Sequence, residues 1–179
     1  MQLFKIIFSL SFASYAVAQG KIKISQSKPR PKIYHVKLIV LHVVLLGDSI
    51  TELTCWRAMV WDMLVKEDLL YKVLFVGSKT NNVHNCRAQS GTFDLHHEGH
   101  DGIQSIDVAD HYVEGWLASS KPDIVQIMLG TNDVSQGRAT SDIINSYTRM
   151  TDLIRESNPR AKIIVCHRSR SSSCIQAQR

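Results

Sequence analysis

Past its first eighteen residues the sequence has no apolar run long enough to cross a bilayer, so no internal membrane span is expected. No Asn-x-Ser/Thr acceptor occurs, and N-glycosylation is not expected. A zinc-protease helix, His-Glu-x-x-His, is missing too. In the cluster His96-His97-Glu98-Gly99-His100 the glutamate follows the wrong histidine and Gly99 weakens a helix, so no metal and no cofactor are expected. The net charge of +5 is concentrated at the two ends, Lys21–Lys32 and His167–Arg179. Neither end interleaves aromatics with its basic residues, which argues for solvated ends and against a nucleic-acid partner.

What is present begins with "MQLFKIIFSLSFASYAVAQG". One early charge (Lys5), an apolar stretch from Ile6 and the small residues Ala16 and Ala18 read as a secretory signal peptide over residues 1–18. The expected location is extracellular, with a mature N-terminus at Gln19. Residues 19–35 read as a flexible basic leader. From Val36 the pattern changes to β-branched, apolar "VKLIVLHVVLLG", a strand buried on both faces and ended by Gly47.

A helix is predicted from Cys55 to Lys66, with Trp56, Val60, Met63 and Leu64 on its apolar face. Tyr71–Ser78 reads as a second strand, and residues 79–102 as a long loop. The spacing predicts a helix from Ile103 to Leu117, a strand over Ile124–Leu129, a helix capped by Ser141 and stopped at Asn158-Pro159, and a strand over Ala161–Cys166. This alternation implies a parallel α/β sheet with helices on both faces, and ligands at the carboxyl ends of its strands. The domain is expected over residues 36–166. Residues 167–179 are expected to be a disordered Arg- and Ser-rich tail.

Two polar clusters, Gly47-Asp48-Ser49 and Gly130-Thr131-Asn132-Asp133, fall at the ends of different predicted strands. A serine there exposes its hydroxyl, and backbone N–H groups at the following helix start stabilise an oxyanion. Asn132 can donate a side-chain N–H to the same oxygen, and Gly102 lets a further backbone N–H approach. Each signal alone is weak; their order and strand-end placement together point to ester cleavage.

"GDSIT" (Gly47–Thr51), "EGHDG" (Glu98–Gly102) and "GTND" (Gly130–Asp133) resemble three of the four signature blocks of the SGNH/GDSL hydrolases. The stretch from Val43 to Val165 is most similar to secreted family-3 carbohydrate esterases, which include acetyl xylan esterases. The resemblance implies a flavodoxin-like three-layer α/β/α fold and a nucleophile at Ser49. It also implies an oxyanion hole from Ser49, Gly102 and Asn132, no cofactor, and deacetylation of plant cell-wall polysaccharide. Lipid-ester or thioester hydrolysis on the same fold, or a catalytically dead carbohydrate-binding remnant, are the alternatives.

The fourth block of that resemblance, an Asp-x-x-His supplying the base and its carboxylate, has no counterpart after Val165. The domain is therefore expected to be C-terminally truncated and inactive as written. The abrupt change from "AKIIV" to "CHRSRSSSCIQAQR" also suggests a gene-model artefact. The base is sought among His97, as part of the string Asp94-Leu95-His96-His97, His100, and His167. Without further strands, Ile163–Cys166 is expected to be an uncovered edge that drives dimerisation. Of the cysteines outside the signal, Cys55 and Cys86 are the preferred disulfide, with a buried thiol at Cys55 as the alternative; Cys166 and Cys174 are expected to stay free.

Overall fold

A computed structural model describes residues 39–167 and 173–176. The expected signal peptide and leader, and the start of the predicted first strand at Val36, lie outside the described residues.

Strand β1, Leu41–Gly47, is buried from Val43 to Gly47 and runs through the sheet interior. It pairs in parallel with β2 (Val73–Val76) on one side and β4 (Ile124–Met128) on the other. The two-residue β3 (Glu98–Gly99) pairs with Leu46 and Gly47, taking over from β2 along the same side of β1. Beyond β4 lies β5 (Lys162–His167), also parallel. The order β2-β1-β4-β5 is that of a doubly wound sheet whose direction of winding switches between β1 and β4. At such a switch a crevice opens at the carboxyl ends of the strands.

Period-2 alternation divides β1 between two cores. Val44 and Leu46 join Val125, Ile127 and Ile163 under Val113 and Leu117 of α4 (Val113–Ser120) and Met150 and Ile154 of α6 (Thr140–Ser157). Val43 and Leu45 join Phe75 on the opposite face, beneath Trp56, Val60, Trp61 and Leu64 of α2 (Trp56–Lys66). The result is the expected flavodoxin-like three-layer α/β/α architecture.

Several local readings change. The segment between β1 and α2 forms its own short helix, α1 (Ser49–Leu53), capped by the Asp48 carboxylate, which accepts the Ile50 N–H at 2.9 Å. Met63 faces solvent, 65% exposed, although it shares the helical spacing of the partly buried Trp56, Val60 and Leu64. The helix before β4 is built from α3 (Ser105–Asp107), a π-helical turn over Val108–Tyr112, and α4. Helix α6 begins one residue before Ser141, with Ala139 at its cap position and no side-chain cap.

The larger correction is at the end of the chain. Ser173–Gln176 forms β6, antiparallel to β5, with Cys174 opposite Cys166 in register. The expected tail without secondary structure is wrong over those residues. β5 is also not an edge of the sheet, so the physical ground for dimerisation through Ile163–Cys166 is gone.

Candidate active site

The chain after β1 turns directly into α1, which packs back onto the sheet. Two glycines allow this. A Cβ on Gly47 would overlap Thr51 Oγ1, and one on Gly99 would lie 2.6 Å from the Glu52 N–H nitrogen. Side chains at either position would push α1 off the sheet. The packing fixes Ser49 as the first residue of α1, where backbone N–H groups lack intrahelical partners. Among the described residues nothing hydrogen-bonds to Ser49 Oγ, and its side chain is half-buried. Beside it, Asp48 is buried. Desolvation raises its carboxyl pKa above the usual range, against the pull of the Ile50 N–H.

The second element is the loop after β3. The His100 N–H donates to the Gly47 carbonyl at 3.0 Å, extending the β1–β3 pairing. The Asp101 N–H donates to Glu52 Oε2 at 2.6 Å. Gly102 then adopts φ +77°, a left-handed conformation that favours glycine. Its N–H has no acceptor among the described residues, and a Cβ there would meet open space.

The third element follows β4. Tyr147 pins the strand end, its hydroxyl donating to the Leu129 carbonyl and accepting the Leu129 N–H, each at 3.1 Å. Burial pushes this phenol up to about 12. Asn132, in α5 (Thr131–Ser135), donates Nδ2–H to the Ile103 carbonyl at 2.9 Å, next to Gly102. A primary amide carries two N–H groups, so one remains for a ligand. Asp133 is committed elsewhere. Fully buried, it accepts the Ser105 N–H and Ser105 hydroxyl, both at 2.8 Å, and so holds the start of α3.

The histidines considered as bases are engaged in other ways. His97 is completely buried. Its Nδ1 accepts the Gly99 N–H at 3.0 Å and its Nε2–H points to the Asn81 carbonyl at 3.3 Å. Burial and the Arg57 guanidinium depress its pKa to about 4, so it is neutral with both ring nitrogens engaged. The Asp-x-x-His string does not form a pair. Asp94 Oδ1 receives His96, through Nδ1 at 2.7 Å, while Oδ2 accepts the Phe75 N–H.

His100 donates Nε2–H to Glu98 Oε1 at 2.6 Å, and its ring stacks on Trp116 of α4 at 4.6 Å. Trp116 packs against the core on the α4 face of the sheet, and among the described residues no hydrogen bond joins His100 to Ser49. Burial works to raise the Glu98 carboxyl pKa, but bonds from His100 and Ser78 outweigh it and hold it low. His167 closes β5, and its side chain falls outside the described residues. Among the described residues no cluster of three metal-ligating side chains occurs, and no helix is long and apolar enough to cross a membrane.

Sequence reasoning missed the polar layer that joins these parts. Glu52 accepts Lys79 Nζ at 2.5 Å and Asn81 Nδ2 at 2.8 Å. Arg57, 2% exposed, donates to the carbonyls of Leu95, Asn81 and Glu52. The signal was an arginine and a glutamate beside a predicted apolar helix face. Cys55 and Cys86 form a disulfide with their Cα atoms 5.2 Å apart, tying the start of α2 to the same loop. Cys166 is disulfide-bonded as well, which corrects the expectation that it stays free.

Ser49 thus stands at the end of β1 beside the topological switch, while the unengaged Gly102 N–H and the half-engaged Asn132 amide follow the neighbouring strands β3 and β4. The sequence matches the GDSL-like lipase/acylhydrolase family over residues 45–177. The chain belongs to that family.

Solved structures agree with this lineage, that of SGNH-type carboxylic ester hydrolases. An acetyl esterase mutant with an acetate ion is 50% identical, with a TM-score of 0.67, the match covering 70% of this chain and 61% of that one. A family 3 carbohydrate esterase from Talaromyces cellulolyticus is 51% identical with the same TM-score and the same coverage. A family 3 carbohydrate esterase from Clostridium thermocellum is 25% identical, with a TM-score of 0.58, covering 70% of this chain and 60% of that one. The match thus spans about three fifths of the length of these solved relatives. Comparison with curated proteins gives no match.

Proposed function

We propose that this chain is the nucleophile- and oxyanion-bearing part of a secreted serine esterase that removes acetyl groups from a polysaccharide. The observation that carries the reading is the unengaged Gly102 N–H, at a left-handed glycine, in the loop that extends the β1–β3 pairing beside Ser49. In the reaction Ser49 Oγ attacks the ester carbonyl carbon and its proton passes to a base. The carbonyl oxygen becomes an oxyanion that takes hydrogen bonds from the N–H groups of Ser49 and Gly102 and the free amide N–H of Asn132. The tetrahedral species collapses, the sugar oxygen leaves with the proton, and water releases acetate from Ser49 by the reverse sequence.

The acetyl group and the polysaccharide are supported by what the relatives are described as, an acetyl esterase and family 3 carbohydrate esterases. Secretion is supported by the signal-peptide pattern of residues 1–18 and by the Cys55–Cys86 disulfide, which suits an oxidising compartment. N-terminal sequencing of secreted material should begin at Gln19, and material beginning at Met1 would contradict this.

No histidine with a described side chain touches Ser49, so a second reading, ligand binding without turnover, is favoured by that specific gap. The two readings separate in one assay. Hydrolysis of p-nitrophenyl acetate that disappears in Ser49→Ala, together with labelling of Ser49 by a fluorophosphonate, supports the esterase. Acetylated xylo-oligosaccharide binding by calorimetry, without either reaction, supports the binding reading and defeats the esterase.

A further inference from the structure

Glu52 stands in the turn of α1 that follows Ser49, 7% exposed, with both carboxylate oxygens engaged. Oε1 holds Lys79 and Asn81 at the start of the long loop, and Oε2 holds the Asp101 N–H near its end, across 49 residues of sequence. Arg57 lies beside it and closes the same loop from within, donating to Asn81 and Leu95. One side chain on the nucleophile's helix therefore grips both ends of the segment that leads to Gly102.

We propose that Glu52 is a positioning residue that sets the Asp101–Gly102 peptide, and with it the Gly102 N–H, relative to Ser49. The physical reason is the softness of the chain at Gly102. This residue lacks a Cβ, is exposed and makes no hydrogen bond through its own N–H, and the turn around it is closed only by the Ile103 N–H donating to the His100 carbonyl at 3.3 Å. The Asp101 N–H lies on the preceding peptide, inside the same turn, and the bond fixing it comes from the same helix as the nucleophile. Errors in the position of α1 are thus shared by donor and nucleophile. Misplacement of a reacting geometry by about 1 Å costs on the order of 10²-fold in rate. This inference rests on the reading of Gly102 as an oxyanion donor.

Amide hydrogen exchange and ester turnover test it together in the full chain. In Glu52→Gln the acid becomes an amide whose N–H₂ opposes Lys79 and Asn81, and Glu52→Ala removes the grip. Both should raise exchange at the Asp101 amide by roughly tenfold or more, while the Lys79 and His97 amides, which bond each other's carbonyls, keep their protection. The kcat for p-nitrophenyl acetate should fall by roughly 10²-fold with KM nearly unchanged, and Glu52→Asp should recover part of it. Lys79→Met, which leaves Glu52 in place, should loosen Asp101 by a smaller factor and keeps the test readable if the Glu52 variants do not fold. Unchanged exchange at Asp101 in any folded variant overturns the proposal, as does a loss carried by KM. If wild type and Ser49→Ala are equally inert, the esterase reading fails, and exchange at Asp101 alone judges the role of Glu52.

Discussion

His97 carries a measurable cost of burial. Its pKa is about 4 in the folded chain against 6.5 when exposed, so the unfolded chain takes up a proton more readily. The contribution is fully present above pH 6.5 and is lost as pH falls toward 4, on the order of 3 kcal/mol by linkage. The buried carboxylates with lowered values, Glu52 and Glu98, act in the same direction but only below their ordinary range near 4.5. Urea unfolding should therefore show a fall in stability between pH 6.5 and 5 that is absent in a folded His97→Gln variant; equal falls in both would contradict the assignment. At this scale the sequence was a poor guide. The string Asp94-Leu95-His96-His97 suggested a pair between its ends, yet Asp94 meets His96. Loop residues have no period that ties spacing to direction, so a motif match there says little about contact.

Elements with a strict period were legible, and those held by a distant partner were not. β1 and β4 were visible as apolar runs because they are covered on both faces. β6 was not visible, since its four residues, "SCIQ", carry too little apolar pattern and take their strand form from pairing with β5. Met63 sits at a helical spacing shared with the core, but α2 lies against the sheet along a narrower stripe than the spacing allows. Helix α1 depends on Gly47 and Gly99 rather than on its own propensity. Gly99→Ala should displace it and reduce labelling of Ser49 at least tenfold while the helical circular dichroism of the domain is kept; unaltered labelling would show that α1 tolerates the shift. The Cys55–Cys86 bridge closes a separation of 31 residues. Replacing both cysteines by alanine should cost on the order of 3–4 kcal/mol in the chain-entropy account, measured by denaturant unfolding with and without reductant.

The assembled domain places Ser49, Gly102 and Asn132 after the neighbouring strands β1, β3 and β4, and no histidine among its described side chains hydrogen-bonds to Ser49. The three signature blocks were readable because each needs particular residue types at a strand end, glycine above all. The polar layer beneath them was not, because Glu52, Arg57, Lys79 and Asn81 gain meaning only when the long loop folds over α1. Fusing a strand and Asp-x-x-His loop from an esterase relative should raise kcat/KM for p-nitrophenyl acetate by roughly 10³-fold or more, since losing the base of a triad removes an acceleration of at least that size. The gain should vanish with Ser49→Ala. A fused chain no faster than the original would mean that Ser49 is not the acceptor of the acyl group.

The long reach of the loop contacts also has a kinetic side. Glu52 meets Asp101 across 49 residues, and Asn132 meets Ile103 across 29. Closure of such distant contacts is slow, because chain entropy is lost before the contacts compensate it. The apolar strands can collapse and pair while Gly102 is still wandering. A refolding chain should thus recover its buried-tryptophan fluorescence first and its reactivity toward a serine probe in a later phase, so that chemical competence serves as the clock for the last contacts to close.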